Sequence, residues 1–396
     1  MSISDCAINE YFMKLSSIEE CRNLFPFAQK YVYLDSAHYC PYSLESKRRL
    51  DEFIYNFTHN HVNLSLANFH NSRLLKDKAA ELINADPDDI IITSSTTHGL
   101  NIFANGIRLN AGDTVAYADS EFPAVVYPWM NQEKLRGLKS VMIPSENGKM
   151  KLADIEMTIS ENNVKVLTIS IVEFLGFRND IGSILDICRK YGCLLVTDGI
   201  QSTGIVPFDV KLYDVDYFAT GSQKWMMSPS GIGFAYIARR NRDKVAPTYA
   251  GTSSVKYDFK KFLDYKLDFS DDGSAYENST LNCLGMIGLI SSIELFLKLG
   301  VENIFNHILK LLDLFVEKID ESKFMIESSL EKKHRSGILI FSHKESSKNE
   351  AIQKYLEQCG IYVALREGFL RISPHIFNNE QDILKLVDEL NHFNEQ

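Results

Sequence analysis

Residues 194–237 contain three short apolar runs, and two of them deliver a charged residue where they end. Leu194 to Thr197 stops at Asp198. Tyr217 to Ala219 leads into Thr220-Gly221-Ser222-Gln223-Lys224, and Ile232 to Ile237 follows a serine, proline and glycine turn. Apolar runs this short, bounded by turn residues, read as strands buried on both faces, as in an α/β sheet. Open sheets of that kind bind ligands outside the carboxyl ends of their strands, so Asp198 and Lys224 fall at one opening. Two readings fit. One is a structural ion pair. The other is a cofactor site, in which the lysine amine forms a Schiff base with an aldehyde and the acid sits beside the nitrogen of an electron-accepting ring.

With 396 residues the chain has room for two domains, each with its own core. A formal net charge of -10, without a Lys/Arg stripe to offset it, argues against a nucleic-acid partner. The KKHR run at 332–335 reads as a solvated turn. Seven dispersed cysteines, with no CxxC pair, fit a reducing compartment. The first ten residues have neither a basic region nor an apolar core, and the apolar run at 283–299 is broken by Ser291, Ser292, Glu294 and Lys298. A cytoplasmic protein with no membrane partner is expected. His59, His61 and His70 lack the spacing of HExxH, so no metal is expected.

Along the chain, Tyr31 to Asp35 reads as a strand that stops at Ser36-Ala37-His38. Residues 44–85 have helical spacing, with Phe53 and Phe57 on one face and Leu74, Leu75, Ala79, Leu82 and Ile83 on another; Asn84 and Asp86-Pro87 end it. The strand at 89–93 runs into Ser94-Ser95-Thr96-Thr97-His98-Gly99 and then an apolar helix face. A polar cluster that opens a helix is either an ordinary cap or an anion site built from free backbone N–H groups. Further strands are expected at 114–117 and 164–169, with a crossover helix at 184–191. Helices at 287–299 and 304–315 precede a smaller α+β unit. That unit comprises a strand at 337–341, a helix at 349–359, a strand at 361–364 and a closing helix at 380–393.

The segments DGIQSTG, TGSQKW and SGIGFAYI, in that order, resemble the pyridoxal-phosphate (PLP) enzymes of aminotransferase class V, which include cysteine desulfurases and kynureninase. YLDSA at 33–37 is similar to the family's entrance segment. The resemblance implies fold type I: an α/β domain with a mostly parallel sheet and helices on both faces, plus a smaller α+β domain. The boundaries expected are 1–30 for an N-terminal segment packing with the small domain, 31–255 for the PLP-binding domain, and 256–396 for a linker and the small domain. It also implies a Schiff base on Lys224, Asp198 beside the ring nitrogen, and Gln201 donating to the ring hydroxyl. Thr96, Thr97, Ser222 and Gln223 become phosphate ligands. Phe122 takes the ring-stacking place that a phenylalanine holds in kynureninase and a histidine in the desulfurases.

Arg371 matches the arginine that pairs with a substrate α-carboxylate, through two parallel charge-assisted bonds. Arg366 matches a second arginine of the same pocket, Arg178 resembles the arginine of a G-x-R segment, and His38, with Tyr39, lies where substrate enters. Thr280 resembles a threonine that reaches the cofactor phosphate of a partner subunit, which implies a homodimer with shared sites; Ser279 stands where glycine is usual. Ile171 departs from a polar residue common in relatives. Residues 367–370 hold no cysteine where the desulfurases carry their nucleophile, and neither Cys40 nor Cys359 matches that place. The expected activity is therefore PLP-dependent transamination of an α-amino acid. A carbon–sulfur lyase or desulfurase-like enzyme without the loop cysteine comes second, and a racemase or epimerase third.

Overall fold

The structure, a computed structural model, describes residues 5–256, 260–261 and 263–393. Its central sheet has seven strands: β1 (Ile90–Thr93), β2 (Thr114–Ala118), β3 (Lys139–Ile143), β4 (Val164–Ser170), β5 (Leu194–Asp198), β6 (Tyr217–Gly221) and β7 (Gly233–Ile237). Their order across the sheet is β1-β7-β6-β5-β4-β2-β3. All neighbours run parallel except β7, which is antiparallel to both β1 and β6. Alternate residues of one strand serve different cores. Ile91, Val115, Val166, Val196 and Ala235 face a cluster completed by Leu100, Phe103, Val125 and Trp129 from the helices Thr96–Gly106 and Pro123–Arg136. Ile90, Ile92, Ala116, Leu167, Leu195 and Phe234 face the larger cluster on the other side. Sequestering both faces is why these strands read as unbroken apolar runs.

The sheet extends further than the sequence indicates. β3 is an edge strand whose residues are mostly half-buried or exposed, so it lacks the apolar run that marks the others. The helix Pro123–Arg136 escapes a periodicity reading because Pro128 lies inside it. The entrance segment also differs: only Val32–Tyr33 is strand, and it pairs in parallel with Ile361–Tyr362 rather than joining the central sheet. Asp35 bridges Ser373 in the same direction.

A second sheet is wholly antiparallel, with β8 (Phe324–Ile326), β9 (Leu339–His343), β10 (Ala364–Arg366) and β11 (Phe369–Ile372) in the order β8-β9-β11-β10. Helices Val301–Lys318, Asn349–Gln358 and Glu380–His392 accompany it. The turn between β10 and β11 is two residues long, Glu367 and Gly368, at φ 49° and 82°. Two successive positive φ angles are what a tight hairpin turn of the primed type requires. The N-terminal segment is fastened to this part: Arg22 binds Asp382 at 2.7 Å and the Phe377 carbonyl, and Phe25 packs on Phe377. Among the described residues no single helix is long and apolar enough to cross a membrane.

The turn Glu173–Gly176 joins the two parts. Gly176 sits at φ 94°, its N–H donates to the Glu173 carbonyl, and its own carbonyl accepts from Ser336 Oγ at 2.7 Å. A Cβ there would stand 2.8 Å from Ile338 Cγ2 and 3.0 Å from the Ile338 carbonyl. Gly176→Ala therefore meets both a left-handed backbone and a clash with main chain. It is expected to lower stability by about 2 kcal/mol, measured by chemical denaturation.

Candidate active site

Five strands of the central sheet deliver residues to one cavity of about 350 Å³ at their carboxyl ends. Beyond β1 come Ser95, Thr96 and Thr97; beyond β2, Phe122; beyond β4, Phe174. β5 supplies Asp198, and β6 runs out to Gln223 and Lys224. Ala37, His38 and Tyr39 of the entrance segment, with Arg366 and Arg371 of the small sheet, close the other side. A larger depression lies elsewhere, between Arg239–Asp243 and Phe269–Tyr276. Two of its cations are already paired, Arg242 with Asp89 and Lys256 with Asp271, and none of the candidate site residues lines it.

Asp198 is 1% exposed. Its Oδ1 accepts from the Ile200 N–H at 2.8 Å, while Oδ2 is buried with no partner. Burial pushes its carboxyl up to about 6, with the Ile200 N–H and the Lys224 charge opposing. Lys224 is driven the other way: burial brings its ammonium down to about 8, against the pull of Asp198. Its Nζ lies 5.5 Å from the centre of the Phe122 ring, which is tilted against Phe174 at 5.7 Å. Behind the lysine, His375 is completely buried. Its Nδ1 accepts from the Ile376 N–H, so Nε2 carries the proton and donates to the Trp225 carbonyl at 2.8 Å. Burial keeps that ring neutral, down at about 4.

At the start of helix Thr96–Gly106, Ser95 is the cap: its Oγ accepts from the His98 N–H. Thr96 and Thr97, the first two residues of the helix, line the cavity, and a helix start of this kind suits an anion. Gly221 completes the cradle. A Cβ on it would lie 2.8 Å from Gln223 Oε1 and 3.1 Å from Thr96 Oγ1, so these two groups converge over a residue without a side chain.

Not every residue picked from the sequence reaches the cavity. The Ser222 hydroxyl, expected at the phosphate, is buried and directed to the carbonyls of Pro229 and Ile232 at 2.6 and 2.9 Å. It ties the Lys224 loop to its return strand instead. Gln201 lies behind the wall, where its Nε2 donates to the Ala37 carbonyl and its Oε1 accepts from Trp225 Nε1; these bonds use one of its two amide N–H groups. Arg178 is away from the site. A bridge between Val172 and Arg178 folds the segment back, and the guanidinium donates to the Lys332 and Lys333 carbonyls at 2.9 Å each, above the Phe305 ring. Thr280 is exposed and lines no part of its own chain's cavity.

The two arginines differ. Arg371 is 1% exposed; Nη2 donates to Asp35 Oδ1 at 3.2 Å, Nη1 approaches the Phe174 carbonyl at 3.4 Å, and Nε is buried with no partner. Arg366 is more open, and its Nη1 donates to the Leu365 carbonyl of its own strand. The second oxygen of Asp35 stands 3.3 Å from His38 Nδ1. Burial lowers the affinity of His38 for a proton, with the Asp35 charge opposing.

Sequence reading passed over two acids beside this floor. Glu121 accepts from the N–H and the hydroxyl of Ser170, both at 2.6 Å, and Glu173 accepts from Asn179 Nδ2 at 2.6 Å. Burial pushes Glu121 up to about 8 and Glu173 well above its ordinary range, each raised further by neighbouring acids that include Asp198. Both are therefore harder to ionise than free carboxyls, as Asp198 is. The available signal was an acid directly beyond a buried strand, the same signal that marks Asp198.

These residues fit PLP. The unpartnered Asp198 Oδ2 is an acceptor for a protonated ring nitrogen, the Lys224 amine is placed to hold an aldehyde, and the Thr96–Gln223 cradle suits a phosphate. Fold and cavity together thus define a PLP-dependent enzyme. Comparison with family models goes one step further: the Aminotransferase class-V model matches residues 32–386, and the chain belongs to that family. It is 28% identical to a probable cysteine desulfurase of Methanothermobacter thermautotrophicus, over 94% of this chain and 97% of that one. It is 23% identical to the uncharacterized aminotransferase YcbU of Bacillus subtilis, over the same shares. Two solved structures of the protein C-DES superpose with TM-scores of 0.87 and 0.86 at 20% identity, covering 94% of this chain and 99% and 100% of those. One is a mutant holding glycine covalently linked to its PLP cofactor; the other is a cystine C–S lyase with its product cysteine persulfide.

Only the unprotonated amine can attack an aldehyde. With the Lys224 ammonium brought down to about 8, cofactor capture by the apoprotein should speed up with pH through a midpoint near 8, well below that of an ordinary lysine. Stopped-flow absorbance measures it. Lys224→Ala should abolish the visible absorption of the lysine-bound cofactor.

Proposed function

We propose that the protein is a PLP-dependent carbon–sulfur lyase that acts on a sulfur-bearing α-amino acid and releases the sulfur directly, without a protein-bound persulfide. One observation carries the reading. The hairpin Arg366–Phe369 is closed by a two-residue Glu367–Gly368 turn with no thiol, and among the described residues no cysteine lines the cavity. Cys40 is buried, its thiol pushed far up by burial, and Cys359 points to Glu389. The likeness to enzymes named for cleaving carbon–sulfur bonds supports the reaction type, and the missing thiol argues against a relayed sulfur.

Bound PLP supplies the carbonyl that takes the substrate's amino group and the ring that accepts the electron pair left at Cα. The chain's own residues do the rest. Asp198 holds the ring nitrogen protonated. Phe122 covers the ring, and Thr96, Thr97 and Gln223 hold the phosphate. Gln201 fixes the Asp198 loop against the entrance. Lys224 removes the α-proton, and Arg366 with Arg371 Nε holds the α-carboxylate. His38, held by Asp35 at the opening, donates a proton to the departing sulfur. For cysteine the balance is cysteine plus water giving pyruvate, ammonia and hydrogen sulfide. A homodimer would bring Thr280, exposed on this chain, to the partner's phosphate.

The test is holoenzyme incubated with cysteine, cystine and a panel of other amino acids, with and without a keto-acid acceptor. Pyruvate together with sulfide or persulfide, formed without acceptor, is expected. Keto acid that appears only with acceptor would establish transamination in its place, the reading that the YcbU likeness favours. Inversion of the α-carbon alone would establish a racemase. His38→Gln should lower kcat by about 10²-fold with little change in substrate affinity, as removal of a general acid does.

A further inference from the structure

The substrate's side of the cavity offers two guanidinium groups, and one already has an acid. Asp35 gives one oxygen to Arg371 and the other to His38. Asp198 is directed to the cofactor's nitrogen, and Glu121 and Glu173 lie behind the wall. With His38 in the neutral form that its burial favours, the charges left to meet a substrate are Arg366, Arg371 and Asp35, a net of one positive charge. A single carboxylate, spanning Arg366 and the unpartnered Nε of Arg371, cancels it. Apart from His38, Asp198, Lys224 and the phosphate cradle, the remaining wall is Ala37, Tyr39, Phe122, Ala124, Phe174 and Ile200: rings and aliphatic groups. A second carboxylate would lie in this cavity without a cation of its own and in the field of Asp35. Desolvating an unmatched charge beside a like charge costs several kcal/mol.

We propose that Asp35 is a charge filter: the site accepts α-amino acids whose side chain carries no net negative charge and rejects aspartate- and glutamate-type diacids. This rests on the α-amino-acid reading above but not on which bond is broken. It assigns a role in specificity to a residue that, by position, is only the end of the entrance strand.

Isosteric pairs test it. Dissociation constants of the holoenzyme for L-aspartate against L-asparagine, and L-glutamate against L-glutamine, are read from the change in cofactor absorbance, whether or not turnover follows. Each amide should bind at least about tenfold more tightly than its acid. Equal affinity, or preference for the acids, overturns the proposal and needs no variant to do so. Asp35→Asn should bring the ratios close to one, and Asp35→Glu should keep the wild-type preference; a ratio unmoved in Asp35→Asn overturns it as well. A protein that prefers amides but releases no sulfur keeps this inference and loses the lyase reading. One that eliminates sulfur yet favours diacids keeps the lyase and loses the filter.

Discussion

The site depends on a carboxylate held where it lacks a full set of partners. Asp198 has one oxygen satisfied by a backbone N–H and the other buried beside a lysine that is itself short of solvent. Burial destabilises the charged form of both: the acid is harder to ionise than usual and the amine harder to protonate. Desolvation costs both, and their mutual attraction recovers part of it. A protonated heterocycle placed between them satisfies the open oxygen and takes up the amine. The scaffold is thus pre-organised around a ligand, and five parallel strand ends hold that arrangement in place.

What the sequence revealed follows from which features are local. Asp198 and Lys224 sit at the ends of apolar runs, so strand periodicity alone put them together. Thr96 and Thr97 were legible as a polar cluster between a strand and a helix. Phe122, Arg366, Arg371 and His38 needed the family likeness, and the structure gathers them on one cavity. Ser222 and Arg178 were misplaced because the direction of a side chain in a loop depends on turns that carry no periodic signal. The Ser222 hydroxyl is claimed by carbonyls seven and ten residues further on, and Arg178 is turned back by a bridge to Val172. Glu121 and Glu173 carried the signal of an acid beyond a buried strand, but what distinguishes them is the extent of their burial, which neighbours in sequence do not reveal.

The fold class was the most legible part, because burial on both faces writes itself into strand composition. β3 shows the limit. As an edge strand it has one neighbour and little apolar content, so nothing separates it from loop until its pairing with β2 is seen. The two-residue turn at Glu367–Gly368 makes the opposite point. The sequence showed only that a cysteine is missing there, and the backbone angles show that the hairpin closes directly onto Arg366.

The pairing of Val32 with Ile361 has a consequence for how the chain is made. Its two strands are roughly 330 residues apart, so at ordinary rates of translation the first waits about 15 to 65 s before the second emerges from the ribosome. Through a similar interval Phe25, buried in the finished molecule, lacks the Phe377 ring it packs on. The entrance segment is therefore made long before the strand it pairs with. Until that strand emerges, this part of the nascent chain needs shelter, from a chaperone or from the half-built large domain.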